Sequence, residues 1–394
     1  MAIERIHIAP FLELSRQHII IDVRSPAEYL HAHIPGAYNL PLFSNEERKI
    51  VGTVYKQNSR EEAIKVGLDF FAPKMRKMVE EVEVLIGNRQ LAIGKNSSQF
   101  PLPIANCLLI YCWRGGMRSA GVAWLMDLYG FKVYTLVGGY KKFRNHVLDT
   151  FSLPFQLRIV GGYTGSGKTD VLKELAQRGE AVTDLENIAG HKGSAFGNID
   201  MVPQPTQEMF ENILAQDLNE KATANRQLTI DDGQGTKEKI ELLGSDSRLK
   251  TPDSGLGPIW LEDESQRIGQ VNIPGDLWKT MRQSPVYFLD IPFEQRLDFV
   301  LKEYGGLDRE RMIEAIERIR QRLGGLEATN AINFLKENNT RESFRILLKY
   351  YDKWYLKALH NRDGFEALLT NVSCEEPNPL NASKILRQPA YEAN

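Results

Sequence analysis

Two short stretches of this sequence bring together residue types suited to handling anions. The first is Cys112-Trp113-Arg114-Gly115-Gly116-Met117-Arg118-Ser119, which follows the apolar run Leu108-Leu109-Ile110-Tyr111 and leads into a helix-forming segment. A loop wrapped between a strand end and a helix N-terminus turns backbone N–H groups inward, and the helix dipole adds partial positive charge. Arg114 and Arg118 add two full charges, and Gly115, Gly116 and Ser119 complete the loop. A cysteine in that setting favours its nucleophilic thiolate form. The same cradle suits a phosphate-like or chalcogen-bearing anion above the sulfur. Cys107 and Cys374 have neither glycine nor arginine beside them and read as inert.

The second stretch is Gly162-Tyr163-Thr164-Gly165-Ser166-Gly167-Lys168-Thr169, a full G-x-x-x-x-G-K-T phosphate-binding loop. Gly162, Gly165 and Gly167 let the chain curl, so that N–H groups such as that of Ser166 point at phosphate oxygens. Lys168 supplies a point charge, and Thr169 is placed to ligate Mg²⁺ if a metal nucleotide binds. No other cofactor is called for. An acid ending a second strand would complete such a site. Asp231/Asp232, Glu262/Asp263 and Asp290 are the candidates, and each could equally cap a helix or turn.

These loops need strands before them and helices after them, and the chain provides both. Parallel-strand patterns cover residues 18–23, 108–112 and 132–137, with helical spacing over 46–85 and 119–129. Residues 88–103 are rich in turn formers and read as a surface insertion. A second α/β unit has strand patterns at 155–160, 181–185, 227–231, 259–262 and 286–290, a helix over 168–178, and a loop at 243–258. From 293 to about 369 the pattern is almost wholly helical, and the last residues look frayed. The predicted fold class is α/β, in three regions: 1–150 around Cys112, 151–292 around the phosphate loop, and a helical 293–394.

The length of 394 residues suits two or three such regions, and 42% hydrophobic with 25% charged residues is ordinary globular composition. No apolar run approaches the ~18–20 residues that a membrane span needs. Three cysteines without a CxxC or a Cys/His cluster speak against a disulfide scaffold or a zinc site, and the N-terminus reads as no signal peptide. A reducing cytoplasm is the expected setting. Lys+Arg 49 against Asp+Glu 51 excludes a globally basic nucleic-acid binder.

A local basic ridge exists all the same. Arg341, Arg345, Lys349, Lys353 and Lys357 recur every four residues; with Arg362, against Glu342 and Asp352, residues 341–362 carry +4. Phe344, Tyr350, Tyr351, Trp354 and Tyr355 are interleaved. Such a ridge suits the phosphates and splayed bases of an RNA loop. It equally suits a solvated helix face above core aromatics.

The first region resembles rhodanese domains. Asp22-Val23-Arg24-Ser25-Pro26-Ala27-Glu28-Tyr29, then His33-Ile34-Pro35-Gly36-Ala37-Tyr38-Asn39, is similar to their N-terminal signature, and Leu136-Val137-Gly138-Gly139-Tyr140 to their C-terminal one. The resemblance implies a loop cysteine that carries transferable sulfur as a persulfide, with Asp22, Arg24 and His33 bracing the loop. Cys112 to Arg118 is Cys-x5-Arg, one residue longer than the usual rhodanese loop. Cys-x5-Arg-Ser is also the phosphatase form, although phosphatases of that kind have His where this chain has Tyr111.

Joined to a phosphate-loop region, this architecture resembles the bacterial tRNA 2-selenouridine synthase family. The similarity extends to Glu47-Arg48, Gly52, Tyr55-Lys56 and Gly67, to Asp184-Leu185-Glu186, to Gly190-His191-Lys192-Gly193-Ser194-Ala195-Phe196-Gly197, and to Glu262-Asp263-Glu264-Ser265 with Ile268-Gly269. The resemblance implies a transferase that converts wobble 2-thiouridine of tRNA to 2-selenouridine with selenophosphate, through an S-geranyl intermediate made from geranyl diphosphate. The phosphate loop would hold the diphosphate. Cys112 would carry selenium as a perselenide, with Arg114 and Arg118 steadying the phosphate. Two other readings stay open: a rhodanese-like anion sensor coupled to a P-loop nucleotide switch, and a Cys-x5-Arg phosphatase.

Overall fold

The computed structural model describes residues 3–94, 107–193, 203–228 and 258–389. They form two compact units, residues 1–149 and 150–394.

In the first unit, five runs become strands of one parallel sheet, the second and fourth in chain order being the apolar, buried ones. These are β1 (Glu4–Ile6), β2 (Ile19–Asp22), β3 (Tyr38–Asn39), β4 (Cys107–Tyr111) and β5 (Lys132–Leu136), in the order β1-β5-β4-β2-β3. All five residues of the central β4 are buried. Its pairing with β2 runs from Ile19↔Leu108 to Asp22↔Tyr111, which sets Asp22 and Tyr111 side by side at the carboxyl ends of their strands. Open parallel sheets build sites at that edge. The helices are α1 (Ile8–Ser15), α2 (Pro26–His31), α3 (Asn45–Gln57), α4 (Arg60–Phe71), α5 (Met75–Gly94), α6 (Met117–Tyr129) and α7 (Gly139–Thr150). Val122 and Met126 of α6 pack with Leu108 and Ile110 in the core, which fixes the helix that follows the cysteine loop. The expected insertion at 88–103 begins later than its composition suggests, because residues 88–94 continue α5. The rest of it lies outside the described residues.

The second unit is built on β6 (Leu157–Gly162), β7 (Ala181–Val182), β8 (Ile259–Glu262), a β9 (Arg267–Ile268)–β10 (Val271–Asn272) hairpin, β11 (Val286–Asp290) and β12 (Leu369–Ser373). The main sheet is parallel in the order β12-β11-β6-β8-β7. The chain leaves β6 toward one edge and later crosses to the other side, so the loop after β6 sits where the strand order reverses, the preferred ligand position of open α/β sheets. Helices α8 (Lys168–Gln177), α9 (Leu185–Ala189), α10 (Gln207–Leu228) and α11 (Gly275–Arg282) accompany the sheet. A second apolar core, including Leu297, Ile316, Ala328 and Leu347, holds α12 (Phe293–Tyr304), α13 (Arg309–Leu323), α14 (Gly325–Lys336) and α15 (Thr340–His360) together.

Three expectations are corrected here. The strand at 181–185 stops at Val182, because Asp184 caps α9 by accepting the Asn187 N–H at 2.8 Å. Residues 227–228 close α10 instead of opening a strand, and 229–257, with the expected loop, lie outside the described residues. The chain end is not frayed over residues 375–386: α17 (Asn381–Leu386), which follows the short α16 (Phe365–Leu368), buries Ala382 and Ile385 against α8, and just before that stretch β12 pairs with β11 from Val286↔Leu369 to Asp290↔Ser373. Residues 293–389 therefore share one unit with the phosphate loop. No described helix is long and apolar enough to cross a membrane.

Candidate active sites: a cysteine cradle and a phosphate-loop cleft

Cys112 stands one residue beyond β4, and its residue is only 3% exposed. The Gly116 N–H donates to Sγ at 3.3 Å, and Ser119 Oγ lies 3.2 Å from Sγ while donating to the Gly116 carbonyl at 3.0 Å. The loop is pinned from behind by the Gly138-Gly139-Tyr140 segment. Tyr140 N–H donates to the Cys112 carbonyl at 2.8 Å, and Lys141 N–H to that of Trp113 at 3.0 Å. Gly139 has φ +58°, and a Cβ there would stand 2.2 Å from the Cys112 carbonyl oxygen. Only glycine permits that approach.

The two loop arginines differ. Arg114 is exposed, with no ion-pair partner among the described residues. Arg118 is half-buried and forked onto Glu28, with Nη1 to Oε2 at 2.7 Å and Nη2 to Oε1 at 3.3 Å. Burial alone would raise the Glu28 carboxyl, but the Arg118 hydrogen bonds outweigh it and hold Glu28 below its ordinary range.

Asp22 and Arg24 are the expected braces. Both are buried, and the guanidinium meets both carboxylate oxygens at 2.6–3.0 Å while donating to the Ala32 carbonyl at 2.7 Å. Tyr111 joins them, donating its hydroxyl to Asp22 at 2.8 Å and accepting the Ile34 N–H at 3.1 Å. His33 accompanies them at the edge, stacked on Tyr29 with ring centroids 3.9 Å apart. Cys107 and Cys374 are buried, and burial pushes both thiols up.

In the second unit the phosphate loop takes positive φ at Gly162, Gly165 and Gly167 (147°, 80° and 71°), and α8 begins at Lys168. Lys168 Nζ donates to the Gly162 carbonyl at 3.0 Å. Ser166 is buried, and its Oγ has no partner among the described residues. Thr169 Oγ1 reaches Glu186 at 3.2 Å, Glu186 N–H donates to Glu262 Oε1 at 2.7 Å, and Glu262 Oε2 is buried without a partner among the described residues.

Of the candidate acids, Glu262 ends β8, the strand beside β6, Asp263 follows it, and both line one cleft with Lys168 and Thr169. Asp290 is exposed at the end of β11 and does not line that cleft, and Asp231 and Asp232 lie outside the described residues. Burial, then the charges of Asp184 and Glu186, push Glu262 well above the usual carboxylate range. Burial and the Glu186 charge raise Glu264 to about 8, against the opposing pull of Lys168.

The cleft has a volume of about 810 Å³. Beyond the phosphate loop it is lined by aromatic side chains, Trp278 from α11, Phe299 and Tyr304 from α12, and Tyr350, Trp354 and Tyr355 from α15, among the cations Lys173, Lys192, Arg282 and Arg322. Two buried contacts tie α15 to the loop. Arg296 donates to the Thr164 carbonyl at 3.1 Å and forks onto Asp352 at 2.7 and 2.9 Å. Tyr355 OH accepts the Gly162 N–H at 3.1 Å and donates to Asp263 at 2.7 Å, with Arg362 on the other Asp263 oxygen at 2.6 Å.

The basic ridge on α15 divides. Arg341 pairs with Glu294 and Asp298 of α12, and Arg345 with Glu294 and Glu342. Hydrogen bonds from Arg345 and Arg341 hold Glu294 down at about 2. Lys349, Lys353 and Lys357 are exposed, with no ion pair among the described residues; Lys357 lies over the Trp354 ring at 5.1 Å. Arg362, counted into the ridge from sequence, is buried on Asp263.

Sequence reasoning passed over Tyr111, Arg296, Asp352, Tyr355 and Arg362 as working parts. The partners named above lie 56–193 positions away, so no spacing rule exposes them.

Residues 155–237 and 241–370 match the family model described as the tRNA 2-selenouridine synthase AAA domain, and residues 11–69 match the rhodanese-like domain. Curated relatives carrying the name tRNA 2-selenouridine synthase include one from Bdellovibrio bacteriovorus, 33% identical over 92% of this chain and 94% of its own length. One from a Sulfurovum species is 30% identical over 85% and 87%, and one from Nitrosomonas europaea is 32% identical over 82% and 72%. With a cysteine cradle on one parallel sheet, a phosphate loop on the other, and similarity running through both units, the chain belongs to the tRNA 2-selenouridine synthase family.

Proposed function

We propose that this protein converts 2-thiouridine at the wobble position of tRNA to 2-selenouridine, using geranyl diphosphate at the phosphate-loop cleft and selenophosphate at the Cys112 cradle. The observation that carries this reading is the lining of the cleft, in which the phosphate loop and several aromatic side chains stand together. A prenyl diphosphate has a charged head for the first and a hydrocarbon chain for the second.

A thiocarbonyl carbon is a poor electrophile, and sulfide is a poor leaving group. In the first step the uridine sulfur attacks C1 of the geranyl group. The C1–O bond breaks, and pyrophosphate leaves with the electron pair. Lys168 and the loop N–H groups stabilise its growing charge. Mg²⁺ fits the orphan Glu262 oxygen, Glu186 and Thr169 Oγ1. No three His, Cys, Asp or Glu side chains among the described residues converge on a metal site alone, so the ion would need diphosphate oxygens as further ligands, as Mg²⁺ commonly does. It would supply charge to the departing pyrophosphate. The alkylated sulfur then leaves C2 as geranylthiol when selenium arrives.

Purified protein incubated with 2-thiouridine tRNA and geranyl diphosphate is expected to accumulate S-geranyl-2-thiouridine, measured by mass spectrometry of digested nucleosides. Adding selenophosphate should convert it to 2-selenouridine. Unchanged 2-thiouridine from folded protein would overturn the proposal.

A further inference from the structure

We infer that the Cys112 cradle is a phosphoryl-transfer site, in which Cys112 Sγ attacks the phosphorus of selenophosphate and forms an S-phosphocysteine. The inference rests on selenophosphate being the selenium donor and assigns the chemistry of that site. It gives a use to the Cys-x5-Arg-Ser spacing, which sulfur relay alone leaves unexplained.

Electron counting separates the two ways a thiolate can meet this donor. Attack on selenium would give a Cys–S–Se⁻ perselenide and expel phosphorus with an additional electron pair, at the oxidation level of phosphite. Reaching phosphate by that route requires an oxidant that neither the protein nor the substrates supply. Attack on phosphorus needs none. The S–P bond forms, the P–Se bond breaks, and selenium leaves as hydrogen selenide, already at the level found in 2-selenouridine. Water then attacks the phosphocysteine, returning the thiolate and releasing phosphate. Hydrogen selenide adds to C2 of the S-geranyl uridine, the C2–S bond breaks, and geranylthiol leaves with the proton.

The cradle holds the parts this step uses. Sγ is aligned by the Gly116 N–H at 3.3 Å. Arg118 spends two of its five N–H donors on Glu28, which fixes the plane of the guanidinium and leaves the others for phosphoryl oxygens. Arg114, two residues after Cys112 in the same loop, is exposed and adds a second cation. Ser119 Oγ lies 3.2 Å from Sγ, and its O–H, turned from the Gly116 carbonyl, would reach the sulfur as it leaves phosphorus in the second half-reaction. The Gly139 and Tyr140 contacts hold the loop backbone in one curl, so the N–H groups need not reorganise.

The test uses the full-length protein with selenophosphate under anaerobic conditions, in single turnover with geranylated tRNA. The ³¹P spectrum identifies the phosphorus product, and mass spectrometry of the Cys112 peptide identifies what the cysteine carries. Phosphate as product and a phosphoryl group on Cys112 are expected. Ser119→Ala should accumulate phosphocysteine. Arg118→Lys, which keeps the charge but loses the fork, should slow selenide release by about 100-fold, the scale seen on losing one transition-state donor. Both variants should keep the wild-type circular-dichroism spectrum and melting transition, which shows that the unit carrying the cradle is folded.

Phosphite as product, selenium on Cys112, or equal selenide release by Cys112→Ser would overturn the inference while 2-selenouridine still forms. Failure of the unmodified protein to make 2-selenouridine at all would instead overturn the function on which the inference rests.

Discussion

Tyr355 occupies a single position that several interactions share. Its hydroxyl accepts the Gly162 N–H and donates to Asp263, whose other oxygen takes Arg362, and its ring lies 5.9 Å from Lys168 Nζ. Tyr355→Phe keeps the ring but leaves a buried N–H and a carboxylate oxygen unpaired, a loss of about 1–3 kcal/mol. The expected result is a KM for geranyl diphosphate raised about tenfold and a melting temperature lowered by a few degrees, with tRNA affinity unchanged. Wild-type values in both assays would show the contact to be incidental.

Glu264 makes a different prediction. Its carboxyl is raised to about 8 in the folded protein, by burial first and the Glu186 charge second. Below the unfolded value of 4.5 it is protonated in both states. Between 4.5 and about 8 the folded state holds the proton that the unfolded state has released, so stability falls as pH rises through that window. Glu262 acts in the same direction. Melting curves should therefore shift downward from pH 5 to pH 8, and Glu264→Gln should flatten the slope. An unchanged slope would mean that Glu264 ionises normally.

At the scale of the element, α15 serves two masters along its length. Its first turns pair with acids of α12, and its later turns leave three lysines facing solvent beside the aromatic wall of the cleft. An RNA that reaches the cleft would meet the second group. Lys349→Glu with Lys353→Glu should weaken tRNA binding about tenfold and lower the salt slope by about 1–2, since each lost phosphate contact removes roughly 0.7–0.9 from it. Arg341→Ala with Arg345→Ala should lower thermal stability and leave that slope alone. Equal effects of the two pairs on tRNA binding would return the whole ridge to one role. The sequence exposes the ridge, because spacing of four is a local property. It does not expose the division, because Glu294 and Asp298 lie 43–51 positions away. The same distinction runs through the fold. β8 and β11 are legible from their own apolar runs and keep their expected bounds. β12 is not, since Leu369-Thr370-Asn371-Val372-Ser373 becomes a strand only through pairing with β11. Both anion-binding loops could be read because glycines, cations and the nucleophile are contiguous. The buried groups that hold them in place could not.

At the scale of the whole molecule, the two chemistries stand in units with separate cores, one containing Leu108, Val122 and Met126, the other containing Val160, Leu172 and Leu289. Each site draws its positioning contacts from its own unit: Cys112 from Gly139, Tyr140 and Ser119, Lys168 and Thr169 from Gly162 and Glu186. Losing one side chain should then remove one step and leave the other. Cys112→Ala is expected to geranylate 2-thiouridine tRNA at the normal rate and make no 2-selenouridine. Lys168→Ala is expected to fail at geranylation, yet to selenate tRNA that has been geranylated beforehand. Mixing the two variants in one reaction should restore 2-selenouridine, because geranylated tRNA released by the first is a substrate for the second. Nucleoside analysis of the mixture over time reads this directly. A lag that shortens as the Cys112→Ala protein is increased would show the intermediate passing through solution. A mixture that forms geranylated nucleoside but no selenouridine would mean that both sites must act on one tRNA without releasing it, and the independence argued from the separate cores would fail.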